Sequence, residues 1–101
     1  MLTSKQRAYL KSLANPIDTI LIVGKGGISD EIIIQAQEAI TARELIKGKV
    51  LENSSKPAME VAKEIADAIK AEVVQVIGSK FILYKRNDKE PKIVLPKKKN
   101  R

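Results

Sequence analysis

The chain has 101 residues, enough for one domain and too few for two. It contains no Cys, His or Trp, and its aromatic residues are Tyr9, Phe81 and Tyr84. These absences exclude a Cys/His zinc site, a thiol nucleophile, a Ser-His-Asp triad and a disulfide framework. They also leave too few rings for a sheet that stacks successive bases on aromatic side chains.

Lys and Arg total 19 against 12 Asp and Glu, giving a formal charge of +7. The excess sits at the two ends. Residues 1–14 carry +3, residues 85–101 carry +6, and the middle, 15–84, carries −2. A near-neutral body with basic ends points to a polyanion partner. No segment combines a strongly apolar face with a basic one, so no membrane partner is expected. No apolar run approaches the roughly 18–20 residues of a membrane span and no signal peptide opens the chain, so the expected location is cytoplasmic.

Thr3 and Gln6 form a capping box that starts a helix over Ser4 to about Ala14. Leu10, Leu13 and Ala14 mark its buried side, with Lys5, Arg7 and Lys11 largely outside. Asn15-Pro16 ends it. Asp18–Val23 reads as a strand whose unbroken Ile20-Leu21-Ile22-Val23 run implies burial on both faces. Gly24-Lys25-Gly26-Gly27 follows, and Ser29 caps a second helix that extends to about Arg43 and packs through Ile32, Ile33, Ala36 and Ile40.

Glu44–Leu51 is the second strand. Ile46, Gly48 and Val50 share one face, and Lys47 and Lys49 lie on the other, a mixed pattern expected of an edge or half-exposed strand. Pro57 is placed for the first turn of a third helix. There Ala58, Val61, Ala62, Ile65, Ala66 and Ile69 repeat at helical spacing. Glu72–Ile77 and Lys80–Lys85 are a third and fourth strand, apolar on both faces, joined by a tight turn at Gly78-Ser79. Ile93-Val94-Leu95 is a candidate short extra strand.

The expected fold is therefore a single α/β domain of order α-β-α-β-α-β-β: a four-stranded mixed sheet with helices on both faces. The second and third helices are right-handed crossovers on one face. The first covers the other. Residues 1–96 form the domain and 97–101 a basic tail.

Two readings of Gly24–Gly27 stand side by side. The glycines can simply make a tight turn with positive φ angles. Alternatively, a glycine loop between a buried strand and a helix N-terminus presents free N–H groups to a phosphate, and Lys25 adds a charge at its tip. The loop fits neither G-x-G-x-x-G, since Ser29 holds the sixth position, nor Walker A. It does fit G-x-x-G, the pattern with which KH modules clamp a nucleic-acid backbone.

Longer blocks are more specific. They are Leu2-Thr3-Ser4-Lys5-Gln6-Arg7, Leu13-Ala14-Asn15-Pro16, the Gly24–Gly27 loop, and Glu44-Leu45-Ile46-Lys47-Gly48-Lys49-Val50. Val74-Gln75-Val76-Ile77-Gly78, Leu83-Tyr84-Lys85-Arg86 and Lys92-Ile93-Val94-Leu95-Pro96 follow. In this order and spacing the chain resembles the YhbY family, the stand-alone bacterial form of the CRM (chloroplast RNA splicing and ribosome maturation) domain. The resemblance implies a fold similar to the C-terminal domain of translation initiation factor 3. It also implies RNA binding through the G-x-x-G loop and adjoining basic surface, and association with large-ribosomal-subunit precursors. The nominated RNA-binding residues are Gly24, Lys25, Gly26 and Gly27, with Lys5, Arg7, Lys11, Lys85 and Arg86 supplying counter-charge.

The remaining constellations carry less. Glu60, Glu64 and Asp67 share a helix face, but Lys56, Lys63 and Lys70 interleave, as on a solvated salt-bridged surface. Ser54, Ser55 and Ser79 have no base to activate them. Tyr9 either stacks on a base or closes the core; Tyr84 reads as core with its hydroxyl at the rim. Lys47 and Lys49 either extend a basic path or guard an edge strand. The expectation is a monomeric, non-catalytic RNA-binding ribosome-assembly factor with no metal, cofactor or small-molecule substrate. The alternative is a duplex-DNA-coating chromatin protein of the Alba kind. A protein-interaction module or a small phosphate-handling enzyme is a third class.

Overall fold

The computed structural model describes residues 2–96; the basic tail lies outside the described residues. Helix α1 (Ser4–Ala14) begins with the expected capping box: Thr3 Oγ1 accepts the Gln6 N–H at 3.1 Å, and Gln6 Oε1 accepts the Thr3 N–H at 3.0 Å. The Gln6 side chain is buried, and its amide nitrogen donates to the Pro96 carbonyl at 2.9 Å. The helix start is thereby tied to the far end of the described chain.

Strand β1 (Thr19–Val23) leads through the glycine loop to α2 (Asp30–Arg43), whose N-cap Ser29 accepts the Ile32 N–H at 3.2 Å. Strand β2 (Leu45–Val50) follows, then α3 (Ala58–Ile69). Pro57 is the N-cap of α3, one residue before the first turn where the sequence places it. Strands β3 (Glu72–Ile77) and β4 (Lys80–Tyr84) form a hairpin, with Gly78 at φ +56° in its turn.

The sheet order is β1-β2-β4-β3. β1 and β2 are parallel, and β4 runs antiparallel to both β2 and β3. The carboxyl ends of β1, β2 and β3 therefore share one end of the sheet, and β4 ends at the other. Helices α2 and α3 cover one face over a core that includes Leu21, Val23, Ile46, Val50, Phe81 and Leu83. On the opposite face Leu10 and Ala14 of α1 pack on Leu45, Val74, Ile82 and Tyr84, with Ile93 and Leu95 beside them. Element order, mixed sheet and two-sided helix cover are as the sequence predicts.

Four expectations need correction. β2 is an interior strand, half-exposed as one of the two alternatives has it rather than an edge, so Lys47 and Lys49 guard no edge. Their polarity has another cause: α1 covers only half of its sheet face, and these lysines lie on the uncovered half. Burial of β1 on both faces fails for the same reason. Ile22, paired with Lys49, is 55% exposed, and Ile77 on β3 is 62% exposed. Ile93-Val94-Leu95 forms no strand; it docks as irregular chain, with Val94 facing solvent. Arg7 and Lys11 are half-buried rather than largely outside.

Arg7 has a structural partner. β3 is an edge strand with a bulge at Val74, which inserts between residues paired to Leu83 and Ile82. One guanidinium nitrogen of Arg7 donates to the Val73 and Val74 carbonyls at 2.6 and 2.8 Å. Carbonyls of this bulged edge strand are thus satisfied by a side chain from α1.

Candidate nucleic-acid interface

The Gly24–Gly27 loop leaves the carboxyl end of β1, the end at which open α/β sheets present ligand-binding loops. It is a tight turn, closed by the Gly27 N–H donating to the Gly24 carbonyl at 3.0 Å. Each glycine has a different reason to be one. A Cβ at Gly24 would stand 3.2 Å from Leu51 Cδ1, because the loop backs onto the β2–α3 connection. Gly27 adopts φ +71°, a left-handed conformation that costs an L side chain about 1–2 kcal/mol. Gly26 faces open space and is exposed beside the exposed Lys25.

Both readings of the loop thus have a physical basis. The turn needs its glycines, and its tip also presents donors. Among the described residues the N–H groups of Lys25 and Gly26 donate to no protein acceptor. The N-terminus of α2 is less available than its position implies. Ser29 caps it, and Asp30 and Glu31 occupy its first turn, where their charge already complements the helix dipole. An anion at this loop would meet the turn amides and Lys25.

The other nominated residues do not all gather here. Lys85 and Arg86 follow β4, and β4 ends opposite Leu45, at the start of β2. The six residues of β2 therefore separate them from the loop, about 20 Å at roughly 3.3 Å per residue. Lys5, in the first turn of α1, lies at the same far end: its neighbour Gln6 lines a groove with Arg86, Tyr84 and Pro96. Arg86 is 4.0 Å from Asp88, both widely exposed, so the pair screens little. Arg7 and Lys11 lie between, one helical turn apart, on the side of α1 that faces β3.

Two groups escaped the sequence reading. Lys80 pairs with Lys49 across β2 and β4, on the same open face as Lys47. Register alone brings these three lysines together, and register was not legible. Glu44 was read as the first residue of a strand. It is instead the C-cap of α2, at φ +65° and fully buried. Its Oε1 accepts the N–H groups of Lys92 and Ile93, both at 2.7 Å, and its Oε2 accepts the Asn87 N–H at 2.6 Å. Burial by itself raises the pKa of this carboxyl. The Asn87, Ile93 and Lys92 amides, with the charge of Lys92, outweigh that and hold it below 4.5. Glu44 therefore clamps the segment that carries Lys85 and Arg86. The Tyr84 phenol is pushed up, first by burial and then by the charge of Glu44.

Tyr9 is 37% exposed on the outer side of α1, and Tyr84 is core, as expected. Just ahead of α3, Lys56 Nζ meets Glu64 Oε2 of that helix at 2.6 Å. Lys56 is thereby held above its ordinary pKa, its bond to Glu64 being the main cause.

Comparison with known proteins agrees with the fold and the sequence blocks. The CRS1 / YhbY (CRM) domain model matches residues 2–85. A Bacillus subtilis (strain 168) protein named "Probable RNA-binding protein YqeI" is 42% identical over 96 residues, covering 95% of this chain and all of that one. A Haemophilus influenzae protein named "RNA-binding protein" is 33% identical over 97 residues, covering 96% and 97% of the two chains. The solution structure of the hypothetical protein SAV1595 from Staphylococcus aureus superposes with a TM-score of 0.79 at 44% identity, over 95% of this chain and all of that one. With the family model matching most of the chain and the relatives matching nearly end to end, the chain belongs to the CRS1 / YhbY (CRM) domain family.

Proposed function

We propose that this protein binds RNA and acts, without catalysis, in assembly of the large ribosomal subunit. Its ligand on this reading is ribosomal RNA of the subunit's precursors. The observation that carries the reading is the exposed Gly24–Gly27 turn, with two unused backbone donors and Lys25 at its tip, in a chain whose named relatives are RNA-binding proteins. A phosphate can approach the backbone at Gly26 because no side chain stands there. Lys5, Lys11, Lys85 and Arg86 add counter-charge, as does whatever part of Arg7 the Val73 and Val74 carbonyls leave available. Because the loop and the Lys85/Arg86 end are a strand length apart, this arrangement suits a structured RNA that reaches both ends of the domain. Contacts of this kind read shape and backbone more than sequence.

The test is a sucrose-gradient profile of tagged protein in native lysate, with RNase- and DNase-treated controls. Sedimentation with free large subunits or their precursors, lost after RNase, is the expected result. Loss only after DNase would replace the reading with a chromatin-coating role. A protein left at the top of a low-salt gradient would contradict both.

A further inference from the structure

The uncovered half of the sheet lies on the α1 side, beyond the end of that helix. Its cross-strand rows follow from the register. Ile22, Lys49, Lys80 and Ile77 form one row across all four strands; in the row below, Lys47 and Gln75 flank Ile82, which is already buried at the edge of the α1 core. Three lysines thus occupy the two central strands, with exposed isoleucines on the outer strands. Among the described residues none of the three makes an ion pair; Lys47 Nζ reaches only the Asn15 carbonyl, at 3.4 Å. Like charges directly opposite one another, as at Lys49 and Lys80, destabilise a sheet. A folded domain that keeps such a pair unneutralised has a face complementary to an anion.

The patch is continuous with the glycine loop. Ile22 is two residues before Gly24, and the Val50 N–H donates to the Ser79 carbonyl at 2.7 Å, joining the β2 end to the hairpin turn just before Lys80. Four strands at about 4.8 Å spacing make the row from Ile22 to Ile77 about 14 Å wide. A second copy of the chain is a poor occupant. Face-to-face stacking would bring the lysines together, and both edge strands carry bulges, between Thr19 and Leu21 and between Val73 and Gln75, which disfavour edge pairing.

We propose that this half-sheet is a second RNA contact and that it takes an unpaired segment, with backbone phosphates over Lys47, Lys49 and Lys80 and bases against Ile22 and Ile77. A duplex presents phosphates and sugar hydroxyls but keeps its base faces stacked, so it has nothing for the isoleucines; an unpaired strand offers both kinds of surface. The strand passes from Lys25 over the sheet toward α1. This inference rests on the RNA-binding reading and extends it from the loop to the sheet.

The experiment uses the full chain with two probes, a 20-nucleotide oligouridylate and a blunt-ended RNA duplex. Affinity is followed by fluorescence anisotropy across a salt series. Lys47→Gln/Lys49→Gln/Lys80→Gln is expected to lower the salt slope for oligouridylate by about 2, at roughly 0.7 per lost contact. The corresponding triple Lys→Arg variant keeps the slope. Ile22→Ser/Ile77→Ser is expected to weaken oligouridylate at least about threefold, a smaller loss than that of an aromatic stacking contact, while leaving duplex affinity within about twofold. Thermal melts of each variant confirm folding. Unchanged oligouridylate binding by the triple Gln variant, where the parent protein binds, overturns the inference and leaves the loop reading intact. Equal weakening of both probes by the isoleucine variant overturns the preference for unpaired RNA. A change in sedimentation coefficient on Ile22→Ser/Ile77→Ser with no change in binding identifies a self-association face instead. A parent protein that binds neither probe fails the RNA-binding reading itself.

Discussion

Gly48 lies directly opposite Phe81, and the Phe81 ring fills the space where a side chain at position 48 would stand. A Cβ built there comes within 2.2 Å of the ring and meets three of its atoms within 2.8 Å. The glycine thus lets the one phenylalanine lie flat across the central strands, under α2 and α3, as the largest fully buried side chain of the core. Gly48→Ala is expected to destabilise the domain by about 1–3 kcal/mol, the usual range for overpacking. Phe81→Leu frees part of that space. In a urea-denaturation double-mutant cycle, the pair is expected to lose less than the two single losses combined; additive losses would show that the ring is not the obstacle.

Glu44 makes the fold sensitive to acid. Its pKa in the folded chain is below its ordinary 4.5, so the folded state binds this proton more weakly than the unfolded state does. Its contribution is therefore fully present above pH 4.5 and is lost as pH falls through the folded value. Stability measured by urea midpoint is expected to drop below about pH 4.5, and less steeply in Glu44→Gln. At neutral pH that variant sets an amide nitrogen against backbone donors and is expected to lose about 1–3 kcal/mol. Amide exchange at Asn87, Lys92 and Ile93 reports whether the C-terminal segment is what loosens.

Arg7 separates a structural charge from a binding one. Its bonds to Val73 and Val74 both leave one terminal guanidinium nitrogen, whose position at the end of the longer, planar side chain Lys does not reproduce. Arg7→Lys keeps the charge and is expected to cost about 1 kcal/mol; Arg7→Ala is expected to cost about 1.5–3 kcal/mol. If RNA affinity follows charge alone, Arg7→Lys binds like the parent despite its lower melting temperature.

Gly27 and Gly26 differ in the same way. Gly27→Ala meets the left-handed φ and is expected to lose about 1–2 kcal/mol of stability. Gly26→Ala has no such penalty and open space around it. It is expected to fold normally and to lose RNA affinity through its effect on the approach of a phosphate, measurable by anisotropy on the same probe.

Local chemistry was legible in the sequence. The Thr3/Gln6 capping box, the Ser29 cap and the apolar stripe of α3 all depend on neighbours within a few residues. The crossover logic then places α2 and α3 together and assigns α1 to the other face. Partial cover was not legible, because eleven helical residues reveal nothing about where on a sheet they end. From that one gap came the errors over Ile22 and Ile77. Strand order β1-β2-β4-β3 was likewise hidden, since a hairpin can add to a sheet on either side. Glu44 was missed because its three donors lie more than forty residues away. The G-x-x-G loop was read correctly as a turn at a strand end, while the self-capping of α2 by Ser29, Asp30 and Glu31 became clear only with the loop's geometry.

The proposed contact between the Gly24–Gly27 loop and RNA phosphates is tested most directly by the salt dependence of RNA binding by Lys25→Asp/Gly26→Asp beside the parent protein. Both substitutions are at exposed positions, so the melting temperature is expected to stay within a few degrees. Affinity is expected to fall at least tenfold at low salt, with a slope smaller by about 1–2, at roughly 0.7–0.9 per phosphate contact. Unchanged affinity and slope would rule out the loop contact and move the binding surface elsewhere on the domain.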